Sequence, residues 1–213
     1  MGTELGARIR TLAVGVLSTN CYLVSDPDSQ EALVIDPGAE PDRILAALRA
    51  AGAKVTAIVN THGHWDHSGA NGAVKEATGA PLLIHAADAP WLTMRQTVTG
   101  AGLGLLHPVQ SPPADRVLQG EEELPLGRFR LRVIHTPGHT PGGICLYLPG
   151  VLFSGDTLFA EGVGRTDLPG GSPSALASSI REKLFSLPDE TVVYPGHGAP
   201  TTIGDERSLN PYG

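Results

Sequence analysis

The stretch Val55-Thr56-Ala57-Ile58-Val59-Asn60-Thr61-His62-Gly63-His64-Trp65-Asp66-His67 runs from an apolar segment straight into three histidines and an aspartate. A short apolar run rich in β-branched residues reads as a buried strand. The small residues of 68–78 suit a helix, so the cluster is expected in a strand-to-helix loop. Imidazoles and a carboxylate at this density make chemical sense around metal, for which they are natural nitrogen and oxygen donors. Three further donors lie far downstream in glycine-bearing turns: His139 in Thr136-Pro137-Gly138-His139-Thr140, Asp156 in Ser154-Gly155-Asp156-Thr157, and His197 in Pro195-Gly196-His197-Gly198. Seven donors exceed what one tetrahedral ion uses and suit two ions sharing a carboxylate.

Outward from that stretch, strands and helices alternate. Segments 9–16, 21–25 and 32–35 read as strands, the last stopping at the turn signal Asp36-Pro37-Gly38. Residues 41–51 read as a helix, with Pro41 in its first turn, Ile44, Leu45 and Leu48 at helical spacing, and Gly52 at its end. Segment 81–85 is a further strand, and 97–120, rich in glycine and proline, is expected to be a connector that drapes near the site. Beyond it, strands at 129–135, 144–148 and 151–153 lead toward His139 and Asp156, a helix spans 174–187, and a strand at 191–194 delivers His197. Donors remote in sequence but all at strand ends would meet at one edge of a packed pair of sheets. One domain is expected over 1–213, with halves at about 1–120 and 121–213.

The chain has 213 residues, 41% of them hydrophobic, enough for a substantial core, and a formal charge of −7. Its Lys and Arg are scattered, so the electrostatic footprint of a nucleic-acid binder is missing. No apolar run approaches the ~20 residues of a membrane span, and the first residues lack the pattern of a signal peptide. A cytoplasmic protein with neither nucleic acid nor membrane as partner is expected, with monomer and homodimer both open. Cys21 and Cys145, without CxxC spacing, read as buried reduced thiols. His85, His107 and His135 read as ordinary core or loop histidines, although His135 is near enough to His139 to support it from behind.

The ordered set Asn20-Cys21-Tyr22-Leu23, Asp36-Pro37-Gly38, the 62–67 cluster, Thr136-Pro137-Gly138-His139-Thr140, Gly155-Asp156 and Gly196-His197 resembles the metallo-β-lactamase superfamily. That resemblance implies an α/β fold of αββα type, two mixed β-sheets face to face with helices outside. It also implies that His62, His64 and His139 hold one ion and Asp66, His67 and His197 a second, with Asp156 bridging. The ions implied are two divalent cations, zinc, iron or manganese, with zinc and iron ahead of manganese. Their charge outweighs both carboxylates plus a bridging hydroxide, so ionised water, with a pKa lowered to roughly 7, is favoured as the nucleophile. Asp66 is then the candidate to orient that nucleophile beside its ligand role. Asp36 either forms an Asx turn before Pro37 or accepts a proton from a ligating imidazole. Trp65 either shields the ions or packs beside the turn.

The loop Glu161-Gly162-Val163-Gly164-Arg165-Thr166-Asp167-Leu168-Pro169-Gly170-Gly171-Ser172 and the segment 201–211 resemble the type II glyoxalases (hydroxyacylglutathione hydrolases), especially small single-domain ones, and also the persulfide dioxygenases. Arg165 matches the loop lysine that contacts the thiol carrier, and its fork suits a carboxylate; alternatively it pairs with Asp167 or Glu161 to brace the loop. Thr166 and Asp167 replace the aromatic residues of the glyoxalase pattern, and no C-terminal glutathione-binding helical domain is expected after His197. The resulting expectation is hydrolysis of a small-molecule thioester, since a thiolate leaves without a dedicated acid. The alternative is a persulfide dioxygenase with one iron(II) on His62, His64 or its counterpart, His139 and Asp156. A lactonase or β-lactamase activity comes third, and a non-enzymatic metal-stabilised module last.

Overall fold

The protein is described by a computed structural model covering residues 6–94 and 111–212. Apolar alternation and turn chemistry set the first half: β1 (Arg8–Val14), β2 (Thr19–Ser25), β3 (Glu31–Ile35), α1 (Pro41–Ala50), β4 (Lys54–Val59), α2 (Trp65–Ser68), α3 (Asn71–Thr78), β5 (Leu82–His85), α4 (Ala89–Thr93) and β6 (Arg116–Leu118). The second half continues with β7 (Glu123–Leu126), β8 (Phe129–His135), β9 (Ile144–Leu148), β10 (Val151–Gly155), β11 (Leu158–Phe159), β12 (Gly162–Val163) and α5 (Pro173–Ser178). A π-helical turn (Ser179–Leu184), β13 (Val192–Pro195), β14 (Thr201–Thr202) and α6 (Ile203–Leu209) complete it.

Two six-stranded sheets result, ordered β1-β2-β3-β4-β5-β6 and β14-β13-β10-β9-β8-β7, with β11 and β12 as a small hairpin. Both are mixed: β3–β4, β4–β5, β5–β6 and β10–β13 run parallel and the other pairings antiparallel. The inner faces meet through Leu33, Val59, Leu131, Leu146 and Phe153. On the outside, Ile44 and Leu48 of α1 and Val74 of α3 cover Leu23, Ile58 and Leu82 of the first sheet. Leu176, Ile180, Leu184 and Ile203 cover Leu152 and Val193 of the second. Layer by layer this is the αββα sandwich expected. Cys21 and Cys145 are buried and form no disulfide. Among the described residues no helix is long and apolar enough to cross a membrane.

Several elements differ from the expectation. β1 stops at Val14 rather than 16, because Gly15 and Ser18 take positive φ and Ser18 N–H closes a turn onto Gly15 O at 3.2 Å. The helix expected over 68–78 is two helices, and Trp65, Asp66 and His67 lie on the first of them rather than in a loop. The break has a cause: Ala70 N–H is drawn to Pro37 O at 2.8 Å, and His67 O accepts from the Asn60 amide at 2.9 Å. Of the connector expected at 97–120, residues 97–110, with His107, lie outside the described residues, while the remainder contains β6, paired with β5. The helix expected over 174–187 starts at Pro173, with Ser172 accepting from Ala175 N, and changes to a π turn at Ser179. β7, the β11–β12 hairpin, α4 and α6 were not anticipated as elements, being short or weakly periodic.

Candidate metal centre

Strand ends deliver His62, His139, Asp156 and His197, while Asp66 and His67 sit on the short helix α2, and most of the rings are held from behind. β4 runs through Asn60 and Thr61 to His62, and Thr61 O accepts Ile144 N–H at 2.8 Å, joining the two sheets beneath the centre. His67 projects from α2, His139 from the turn after β8, and Asp156 follows β10 directly. The loop carrying His197 is anchored by β2: Asn20 N–H donates to Gly196 O at 2.7 Å, the Asn20 amide to Pro195 O and Gly198 O at 3.0 Å each, and the Tyr22 hydroxyl to Pro195 O at 2.5 Å. That is a physical reason for the Asn-Cys-Tyr-Leu pattern.

All seven predicted donors converge. His62, His64 and His139 form one group able to hold an ion, Asp66, His67 and His197 another, and His62, His67 and Asp156 a third that overlaps both. Asp156 lies between the outer groups, with Oδ1 3.4 Å from His67 Nε2 and Oδ2 3.6 Å from His139 Nε2 and 3.7 Å from His197 Nε2. Asp66 Oδ2 sits 3.4 Å from His67 Nε2 and 3.3 Å from His197 Nε2.

Hydrogen bonds on the far side of the rings decide which nitrogen faces inward. A carbonyl or carboxylate oxygen only accepts, so His139 Nδ1 donates to Arg165 O at 2.7 Å, His197 Nδ1 to Leu17 O at 3.1 Å, and His67 Nδ1 to Asp36 Oδ2 at 2.9 Å. Thr61 Oγ1 donates to Asp36 Oδ2 at 2.6 Å and is left to accept from His62 Nδ1 at 3.1 Å. In their neutral forms all four rings therefore present a bare Nε2 lone pair to the middle. Two of these, on His67 and His197, face each other at 3.3 Å, and His64 Nδ1 meets His139 Nε2 at 2.9 Å. His62 Nε2 and Asp156 Oδ1 are buried without a hydrogen-bond partner among the described residues. Opposed lone pairs and orphaned buried acceptors are costly alone and are relieved by cations, so the donor set fits divalent metal.

The electrostatics agree. Burial, followed by the neighbouring imidazoles, holds His62 well below the usual imidazole range and brings His64 down to about 4, so both rings are neutral at pH 7. Burial also pushes His67 down, but Asp156, Asp66 and Asp36 outweigh it and raise it well above normal. For Asp66 burial pushes upward and the His67 and His197 rings prevail, keeping the carboxyl below its ordinary range. The carboxylates thus favour positive charge at His67 and His197, where burial alone would oppose it.

Asp36 is buried and accepts from Thr61 N at 2.7 Å, Thr61 Oγ1 and His67 Nδ1, so its carboxylate faces the imidazole rather than closing only a local turn. Arg165 contributes its carbonyl to His139, while its guanidinium makes a two-pronged pair with Asp167 at 2.8 and 2.6 Å. His85 and His135 stack on each other at 4.1 Å, and His135 Nε2 bonds Pro141 O, placing neither among the donors. Sequence reading missed Thr19, whose hydroxyl donates to Asp66 Oδ2 at 3.0 Å, and Trp91, whose ring packs on His64 at 5.5 Å. Neither has a local signal, since both meet their partners only through tertiary folding.

Residues 14–197 match the Metallo-beta-lactamase superfamily. The chain is 38% identical over 205 residues to the probable metallo-hydrolase YqgX of Bacillus subtilis, spanning 95% of this chain and 96% of the relative. It is 36% identical over 207 residues to the hydroxyacylglutathione hydrolase GloC of Haemophilus influenzae, spanning 96% and 97%. Among solved structures it resembles the BLEG-1 B3 metallo-beta-lactamase, with 37% identity, a TM-score of 0.89, and coverage of 96% of this chain and 99% of that one. It also resembles TTHA1623 in a di-iron-bound form, at 40% identity, TM-score 0.82 and coverage of 95% and 99%. ETHE1 from Myxococcus xanthus is similar at 34% identity, TM-score 0.79 and coverage of 96% and 83%.

Proposed function

The chain belongs to the metallo-β-lactamase superfamily, and from that membership we propose that it is a dinuclear metal hydrolase of small acyl thioesters. The observation that carries the reading is the completeness of the second donor group. Asp66, His67 and His197 close on one another, with the two imidazole Nε2 atoms 3.3 Å apart and Asp66 Oδ2 within 3.4 Å of both, so the second group offers a full set of donors of its own beside the first. His62, His64 and His139 would hold one ion, Asp66, His67 and His197 the other, and Asp156 both. The chemistry such ions supply is water ionised near neutral pH and a polarised acyl carbonyl.

The chain's own residues do the rest. Thr19 donates to Asp66 Oδ2 and fixes the carboxylate's orientation, so Asp66 can direct the attacking water through an accepted hydrogen bond. Held below the ordinary carboxyl range, it is suited to orientation more than to keeping a proton. No acid is required for the leaving group, because a thiolate departs without one, whereas an amine does not. Arg165 is 61% exposed and, among the described residues, has only Asp167 as ion-pair partner, which leaves its fork able to turn to a carboxylate on the substrate. The similarity to the hydroxyacylglutathione hydrolase GloC supports a thioester, and the di-iron form of TTHA1623 supports iron beside zinc as the native metal.

The test is one side-by-side assay on metal-quantified protein, with S-lactoylglutathione, a lactone, and glutathione persulfide with O₂. Thioester cleavage at about two ions per chain, abolished in His62→Ala and Asp156→Ala, is expected. Oxygen uptake on the persulfide at one iron per chain, without thioester cleavage, would replace this reading with a dioxygenase.

A further inference from the structure

Asp88 lies outside every group of donors, yet it is fully buried and its carboxylate reaches two of the loops that carry them. It stands at the N-cap position of α4, but its side chain makes no bond to that helix. Instead Oδ2 accepts Gly63 N–H at 2.9 Å and Oδ1 accepts Gly142 N–H at 2.6 Å. Gly63 separates His62 from His64, and Gly142 sits in the turn that presents His139. One carboxylate thus spans the two loops that supply a single group of donors.

Both loops are shaped for this approach. A Cβ at Gly142 would lie 2.6 Å from Asp88 N and Oδ1, and one at Gly63 would lie 2.9 Å from Trp91 Cβ and 3.1 Å from Asp88 O. Only glycine lets the two N–H groups come within bonding distance. The same short helix also sets Trp91 against the His64 ring. Asp88 makes no ion pair within 4 Å among the described residues, and of the basic groups His85 is the one it acts on electrostatically, raising that ring's affinity for a proton.

We propose that Asp88 is a positioning residue for the ion of the His62, His64 and His139 group, setting the separation of the 62–64 loop from the His139 turn. The assignment rests on the two-ion reading above. It assigns Asp88 to one ion and not to the other, because its carboxylate touches neither α2 nor the His197 loop.

The experiment measures zinc affinity by chelator competition in wild type, Asp88→Asn, Asp88→Ala and His64→Ala, together with thermal unfolding. The ion lost in His64→Ala defines the first site. Asn keeps the volume but presents an NH₂ to one of the two N–H donors, so Asp88→Asn decides even should Asp88→Ala fail to fold. First-site affinity lowered about 10–100-fold, the usual effect of removing such a supporting group, with the second site unchanged, is the expected result. Wild-type affinity at both sites in folded Asp88→Asn overturns the proposal, as does an equal loss at both. A wild type with no ion sensitive to His64→Ala overturns the two-ion reading itself, which tells the two failures apart.

Discussion

The Thr61 hydroxyl donates to Asp36 Oδ2 at 2.6 Å and so has only a lone pair to offer His62 Nδ1 at 3.1 Å. That single direction of bonding makes His62 Nε2 the free donor. Thr61→Val keeps the shape but leaves His62 Nδ1 without an acceptor, so the ring is free to take the wrong tautomer. Its metal affinity should fall about 10–100-fold and be largely restored in Thr61→Ser, as read by chelator competition; no loss in the valine variant would mean that the ring is oriented by packing alone. Arg165 is a second residue with two possible employments. If its guanidinium leaves Asp167 for substrate, Arg165→Ala should raise KM for a carboxylate-bearing thioester well above its effect on a neutral one. Equal effects on both substrates would assign the pair with Asp167 to bracing the loop.

At the scale of elements, the segment 201–211 matters through α6. Glu206 is buried and accepts Thr201 Oγ1–H at 2.7 Å, the Asn210 amide at 3.0 Å, and Glu161 N–H at 3.1 and 3.0 Å, while Asn210 also donates to Gly162 O at 3.0 Å. Glu161 is the positive-φ corner of the β11–β12 hairpin, and four residues on, the Arg165 carbonyl orients His139. Glu206→Ala removes the shared acceptor of Thr201 Oγ1, Glu161 N and one Asn210 N–H, and at about 1–3 kcal/mol for a buried group left unsatisfied should lower the urea midpoint and speed amide exchange at Glu161. An unchanged midpoint would show that water replaces the carboxylate freely. In the sequence this segment was legible only as a resemblance, because Glu206 and Glu161 lie 45 positions apart and no periodicity links them. The donors were legible for the opposite reason: His62 to His67 are concentrated locally, and Pro-Gly-His and Gly-Asp mark strand ends. β6 was not, since three residues, two of them exposed, become a strand only by pairing with β5.

For the molecule as a whole, the sandwich was readable from alternation and turn signals, but what clamps its two sheets together was not. The metal donors join them at one end, and at the other end of β3 and β8 the clamp is a pair of carboxylates. Asp26, in the β2–β3 turn, accepts Arg128 N–H at 3.0 Å from the β7–β8 turn, and Glu31 accepts Gly127 N–H at 2.9 Å. Asp26 also takes Asp28 N–H at 3.1 Å and the Ser29 hydroxyl at 3.2 Å. The Arg128 N–H leads the causes that hold the Asp26 carboxyl below its ordinary range, over an opposing effect of burial. A depressed folded-state value means that this contribution is fully present above the unfolded carboxyl pKa of about 3.9 and is lost as pH falls through the folded value. Asp26→Asn should therefore unfold at a lower temperature than wild type at neutral pH, with the gap closing progressively below about pH 4. Melting curves across that range decide it: a gap that stays constant into acid would mean that the asparagine's lost packing, and not the ionised carboxylate, accounts for the difference between the two proteins.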